Sequence, residues 1–135
     1  MKKDAIITLP NSHLRQKSQR VHVITDETRQ LVADMTSASI DWENSRPHEI
    51  SAALAAVQID QLERVVIVRE DFDDKDNRTF IPLINPEIVK YEGQLVSDYE
   101  GCLSVSGRIY GKVPRYSRIR VKALDINGNT IRLKA

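Results

Sequence analysis

Two short runs hold the residues whose types and spacing suit chemistry. The first is Glu100-Gly101-Cys102-Leu103-Ser104, with the only cysteine of the 135-residue chain. A lone cysteine is most often a small buried hydrophobe, and that is the plain reading of Cys102 by itself. A nucleophilic thiol would need a base, and His13, His22 and His48 are all distant from it in sequence. Gly101 admits close approach of another part of the chain. The second run is Ser51-Ala52-Ala53-Leu54-Ala55-Ala56-Val57-Gln58. Its small residues suit tight packing in a core. Gln58 fits that reading less well, because an amide buried without a partner costs about 1–3 kcal/mol. The same amide is able to donate to a developing oxyanion.

Taken together, the runs have a recognisable order. A small-residue stretch ending Leu54-Ala55-Ala56-Val57-Gln58 is followed by Leu83-Ile84-Asn85-Pro86-Glu87-Ile88, then by the cysteine motif. Tyr110-Gly111-Lys112-Val113-Pro114-Arg115 and Val121-Lys122-Ala123-Leu124-Asp125 come after it. This arrangement resembles the peptide deformylases over nearly the whole chain, from Leu9-Pro10 onward. The resemblance implies a metal hydrolase that removes the formyl group from the N-terminal methionine of nascent bacterial or organellar proteins. Iron(II) is the metal implied, with zinc, nickel or cobalt able to occupy the site. Cys102 matches the family's cysteine ligand, a thiolate that the metal holds deprotonated. Gln58 and the backbone N–H of Leu103 match the groups that stabilise the tetrahedral oxyanion. The backbone near Ala52, Ala53 and Gly101 matches the edge along which the peptide lies as an added strand. N-formylmethionyl chains, and with them the ribosome, are the implied partners.

The sequence departs from that family in three places. The family's two histidine ligands and its general acid/base glutamate come from an H-E-x-x-H helix, and no such motif occurs in these residues. His48-Glu49 is followed by Ile50-Ser51-Ala52, so it reads as an exposed loop histidine. Ser51 and Ala53 stand where the family usually has glycines, and each adds a Cβ beside the implied peptide edge. Arg108 reads as an extra residue between the cysteine motif and Tyr110-Gly111.

These residues must be positioned by a modest scaffold. The length suits one domain, and 41% apolar with 29% charged residues is an ordinary globular balance. A net charge of +1, with basic residues dispersed, gives no reason to expect direct nucleic-acid or membrane binding. No apolar run reaches the roughly 20 residues of a membrane span. The start, Met1-Lys2-Lys3-Asp4, lacks the character of a signal peptide, and one cysteine makes no internal disulfide. A cytoplasmic setting is expected. Val21-His22-Val23-Ile24 alternates briefly. Thr25 is placed to cap a helix over 25–39, with Leu31, Val32 and Met35 as its buried stripe. Asp41 to His48 reads as a polar loop. Strands are expected at 64–69, 79–88, 117–126 and 130–133, with Asn127-Gly128 turning the last hairpin.

The expected class is α+β: mostly antiparallel strands around one core helix. Such a sheet needs cover on its apolar face, and a single short helix supplies little. The expectation is therefore a single but incomplete deformylase-like domain, lacking the metal-binding helix, with self-association through exposed core and no activity by itself. Loss of the general acid/base alone forfeits roughly 10²–10⁴ in rate. Three readings follow: a deformylase completed by a C-terminal piece, a non-catalytic peptide-binding module, or a shortened protein completed by a partner chain.

Overall fold

The computed structural model describes residues 1–105, 107 and 109–135. Helix α1, Asp26–Asn44, packs beside a sheet of five antiparallel strands in sequential order: β1 (Ala53–Ala55), β2 (Val65–Arg69), β3 (Phe80–Glu100), β4 (Gly111–Leu124) and β5 (Thr130–Lys134). The α+β class is as expected. Thr25 caps α1 as its sequence position predicts, its hydroxyl receiving the Thr28 N–H while the Thr28 hydroxyl receives the Thr25 N–H. Leu31 and Met35 are buried, and Val32 packs at the edge of the core.

The helix runs past the expected end at residue 39. Asp41 to Asn44 are helical and not a loop, because Glu43, read as part of a polar surface stretch, is buried. Its carboxylate has a partner inside, described below. The extra turn also brings Trp42 against the core.

The core gathers Leu31, Met35 and Ala38 of α1, Leu54 of β1, Val65 and Ile67 of β2 and Ile84 of β3. Alternation sets β2: Val65, Ile67 and Arg69 point to the buried face. β3 is much longer than the expected 79–88, since its second half pairs with β4 through Glu100↔Gly111. Pro82 and Pro86 do not stop it; the register shifts between Ile84 and Glu87 instead. The alternation at Val21–Ile24 forms no strand. Both main-chain groups of Val21 are taken by the Asn85 side chain, whose Oδ1 accepts at 2.8 Å and Nδ2 donates at 2.7 Å. Asn85 sits at φ 52°, a left-handed conformation that asparagine tolerates better than most residues.

Beyond the core, the β3–β4 ribbon leaves Ile88, Tyr91, Leu95 and Tyr116 exposed on one face. No helix among the described residues is long and apolar enough to cross a membrane.

Cross-strand ion pairs hold the ribbon on its other face. Arg120 donates to Glu92, with Lys90 also 3.1 Å from its carboxylate. These two cations, Arg120 foremost, lower the Glu92 pKa to about 2 from an ordinary 4.5. A depressed carboxyl pKa stabilises the fold above its unfolded value and ceases to do so as pH falls through the folded one. Glu92→Gln should therefore lower the melting temperature slightly at pH 7. The gap from wild type should close between about pH 4.5 and pH 2, as thermal melts across that range would show.

Candidate functional site

The runs 51–58 and 100–104, far apart in sequence, meet at one groove. Its volume is about 540 Å³. Ala52 and Ala53 lie along one wall, Gly101, Cys102 and Tyr110 along the other, with Gln58 and Leu103 also lining it. The N-terminal segment joins the runs: Ile7 N–H donates to Gln58 C=O at 2.8 Å and Leu9 N–H to Ser104 C=O at 2.9 Å. Nothing in the composition of residues 6–9 announces that role.

β1 forms the edge of the sheet, paired only to β2. Arg69 N–H donates to Ala52 C=O, which sets the alternation of the antiparallel ladder. By that alternation the N–H and C=O of Ala53 point away from β2, toward the free edge. Ala55 N–H points the same way and donates at 2.9 Å to Gln58 Oε1, closing a turn into the 3₁₀ segment Ala56–Ile59.

That bond fixes the orientation of the Gln58 amide. With Oε1 occupied, Nε2 faces the second run, 3.1 Å from Ser104 Oγ and 3.7 Å from Cys102 Sγ. The partner that Gln58 required is thus a pair: a backbone donor on one side, a hydroxyl and thiol on the other. Cys102 is exposed, which overturns the plain reading of it as a buried cysteine. Leu103 packs its side chain against the core, anchoring the turn that carries the thiol. Gly101 has a definite reason to be glycine, since a Cβ there would fall 2.6 Å from a ring carbon of Tyr110.

The Ala52–Ala53 wall is held from beneath by a buried ion pair that the sequence did not announce. Glu43 Oε2 lies 2.6 Å from Arg69 Nη1, both side chains essentially sealed from solvent. The same oxygen accepts Ser51 N–H at 3.0 Å, immediately before β1. The rest of the Arg69 guanidinium donates to the carbonyls of Asp71, Asp74 and Lys75, shaping the charged turn after β2. One carboxylate therefore ties the end of α1, the entry to β1 and the end of β2.

Several groove residues had no site role assigned from sequence. Trp42 and Glu49 line it, as does His48. His48 is exposed, as a loop residue should be, yet it shares the groove with Cys102 despite their separation in sequence. Glu100 also lines the groove, but its carboxylate is gripped by Arg115 at 2.7 and 2.8 Å, which lowers its pKa.

The family model for polypeptide deformylase matches residues 3–135. The chain belongs to that family. It is 40% identical over 132 residues to the peptide deformylase of Thermomicrobium roseum, covering 96% of this chain and 70% of that protein. It is 36% identical over 135 residues to that of Chromohalobacter salexigens, with 73% of that protein covered. Its fold is similar to a peptide deformylase structure from Synechococcus elongatus, with TM-score 0.83 and 31% identity over 96% of this chain. This chain spans 66% of that one. The Ehrlichia chaffeensis structure gives TM-score 0.79 and 32% identity, with 73% of that chain covered.

Against the deformylase pattern, the two non-glycine positions are accommodated. Neither Ser51 nor Ala53 has a positive φ, so glycine's conformational freedom is not needed there. Ala53 is exposed on the groove wall, while Ser51 is buried and its hydroxyl has no partner among the described residues. Arg108 lies outside the described residues.

The metal of the family does not fit the described residues by themselves. Among them, no three His, Cys, Asp or Glu side chains converge as a metal-binding group. Cys102 supplies one donor, whereas a catalytic zinc-type site takes three protein ligands and an open position.

Removing the Glu43 carboxylate should strand the buried guanidinium of Arg69 and orphan the Ser51 N–H. Glu43→Ala should lose about 3–5 kcal/mol in denaturant unfolding. The double variant Glu43→Ala with Arg69→Met should recover part of that loss.

Proposed function

We propose that these residues form the peptide cradle, the thiolate ligand and the oxyanion donors of a metal-dependent deformylase. Its substrate is the N-formylmethionyl end of a nascent polypeptide. The observation that carries the reading is the Gln58 amide. Its oxygen is held by Ala55 N–H, so its N–H group is presented beside Cys102 at the foot of a free sheet edge.

Each part has a task in that reaction. Ala53 offers an outward N–H and C=O to an extended peptide, which would add as a strand and bring its N-terminal end toward Gln58. Gly101, without a side chain, lets the Tyr110 ring lie against the wall that carries Cys102. Hydrolysis of a formamide passes through a tetrahedral oxyanion, and preoriented N–H donors stabilise charge that develops only there. Gln58 Nε2 and Leu103 N–H take that role. Cys102 would hold the metal as its thiolate ligand, iron(II) by family resemblance, with zinc, nickel or cobalt as substitutes. When bound, the metal supplies Lewis acidity and an activated water. Nascent chains emerging from the ribosome, in the cytoplasm, are the corresponding source of substrate.

The shortage of donors favours a second reading of the same groove: a peptide-binding module without catalysis. Both readings predict that the 135 residues alone do not deformylate. An anaerobic assay of N-formylmethionyl tripeptide with iron(II) or nickel should show no turnover above background. Robust turnover would overturn this assignment of the ligands. The readings separate on metal binding in the protein purified from its native cell: tightly held stoichiometric metal supports the hydrolase, and its absence after iron(II) or nickel reconstitution supports the module.

A further inference from the structure

Tyr110 and Glu49 stand on opposite walls of the groove and are joined across it. The Tyr110 hydroxyl donates to Glu49 Oε2 at 2.8 Å. Glu49 leads into the edge strand through Ile50 and Ser51, whereas Tyr110 leads into β4 and lays its ring against Gly101. The acceptor is itself held in place. Arg46 donates to Glu49 Oε1 at 3.1 Å, and its guanidinium lies 4.7 Å from the centre of the Trp42 ring. A continuous chain of contacts, Trp42–Arg46–Glu49–Tyr110–Gly101, therefore starts on α1, crosses the groove and ends one residue before Cys102.

We propose that the Tyr110–Glu49 hydrogen bond is a strap across the peptide groove, and that Tyr110 is a positioning residue that sets the distance between the Ala52–Ala53 edge and Gly101. This rests on the peptide-groove reading above and adds what fixes the groove's width. The physical reason is the form of the two walls. β1 is three residues long and sits at a sheet edge, so β2 constrains it from one side only. The facing wall is a connection between β3 and β4. The Tyr110–Glu49 bond adds a tie between them to the one that Gln58 makes with Ser104, and a slot for one extended strand demands a narrow range of widths. Tyr110 is exposed, so the bond lies on the open side of the groove, where it holds the slot at its width before a peptide arrives. The strap thus acts on how long a peptide stays more than on how fast it arrives.

The chain carries its own reporters: Trp42, its single tryptophan, and Cys102, its single cysteine, both line the groove. The experiment is a stopped-flow titration of N-formyl-Met-Ala-Ser against Trp42 fluorescence, for wild type, Tyr110→Phe and Glu49→Gln. Phenylalanine keeps the ring over Gly101 and removes the bond. Glutamine keeps an oxygen acceptor. Tyr110→Phe should bind roughly five-fold more weakly, because a slot no longer held at its width must be ordered by the peptide, through faster dissociation at an unchanged association rate. Glu49→Gln should stay near wild type. In the free protein, the ratio of Cys102 labelling rates with a bulky fluorescein maleimide and with iodoacetamide should rise in Tyr110→Phe alone. Peptide binding by Tyr110→Phe equal to wild type, with an equal labelling ratio, overturns the strap. Absence of binding by wild type overturns the peptide-groove reading instead, and the labelling ratio then decides the strap by itself.

Discussion

Glu43 and Arg69 set opposite charges 2.6 Å apart where water does not reach. Each ion would cost several kcal/mol in that position if left alone. The pair is tolerated because its remaining hydrogen-bonding capacity is used: one carboxylate oxygen also accepts Ser51 N–H, and the guanidinium donates to three carbonyls of the turn after β2. A three-residue edge strand has little pairing to hold it. Here it is pinned at its entry by the ion pair and at its exit by the Gln58 amide, which accepts Ala55 N–H. The Ala52–Ala53 wall of the groove, and the direction of the Gln58 amide, depend on those two fixtures.

Much of the scaffold was legible in the sequence because it follows local rules. Thr25 caps α1, the β-branched run at Val65–Val68 lies in β2, and Asn127-Gly128 turns the last hairpin, as short-range pattern predicts. What was not legible was nonlocal. Glu43 looked like surface charge, since its partner lies 26 positions away. The loop expected at 41–48 therefore begins too early. The brief alternation at Val21–Ile24 had no assigned structure, and Asn85 captures Val21 from 64 positions away. β3 continued past the prolines because β4 supplies a partner for its far half, which no window of sequence around residue 90 reveals.

The groove divides in the same way. Cys102, Gln58, Leu103, Ala52, Ala53 and Gly101 were identified through two motifs, and the structure brings all six to one place. Trp42, His48 and Glu49 were missed as groove residues because they come from a helix end and a connecting segment without a motif, and Tyr110 stood in a motif that assigned it no role. The pairing of Gly101 with Tyr110 had a faint signal: a glycine beside a reactive residue, and an aromatic residue nine positions after that glycine. Only the structure shows that one ring explains the glycine.

If the free edge of β1 receives peptide, Ala53 reports it most directly. Its N–H points away from β2 into the groove, where solvent exchanges it. Amide hydrogen exchange of the 135-residue chain, resolved residue by residue with and without N-formyl-Met-Ala-Ser, reads that single bond. Selective slowing at Ala53 is the predicted result. Unchanged exchange at Ala53 under saturating peptide, or slowing confined to the opposite sheet edge at β5, would contradict it.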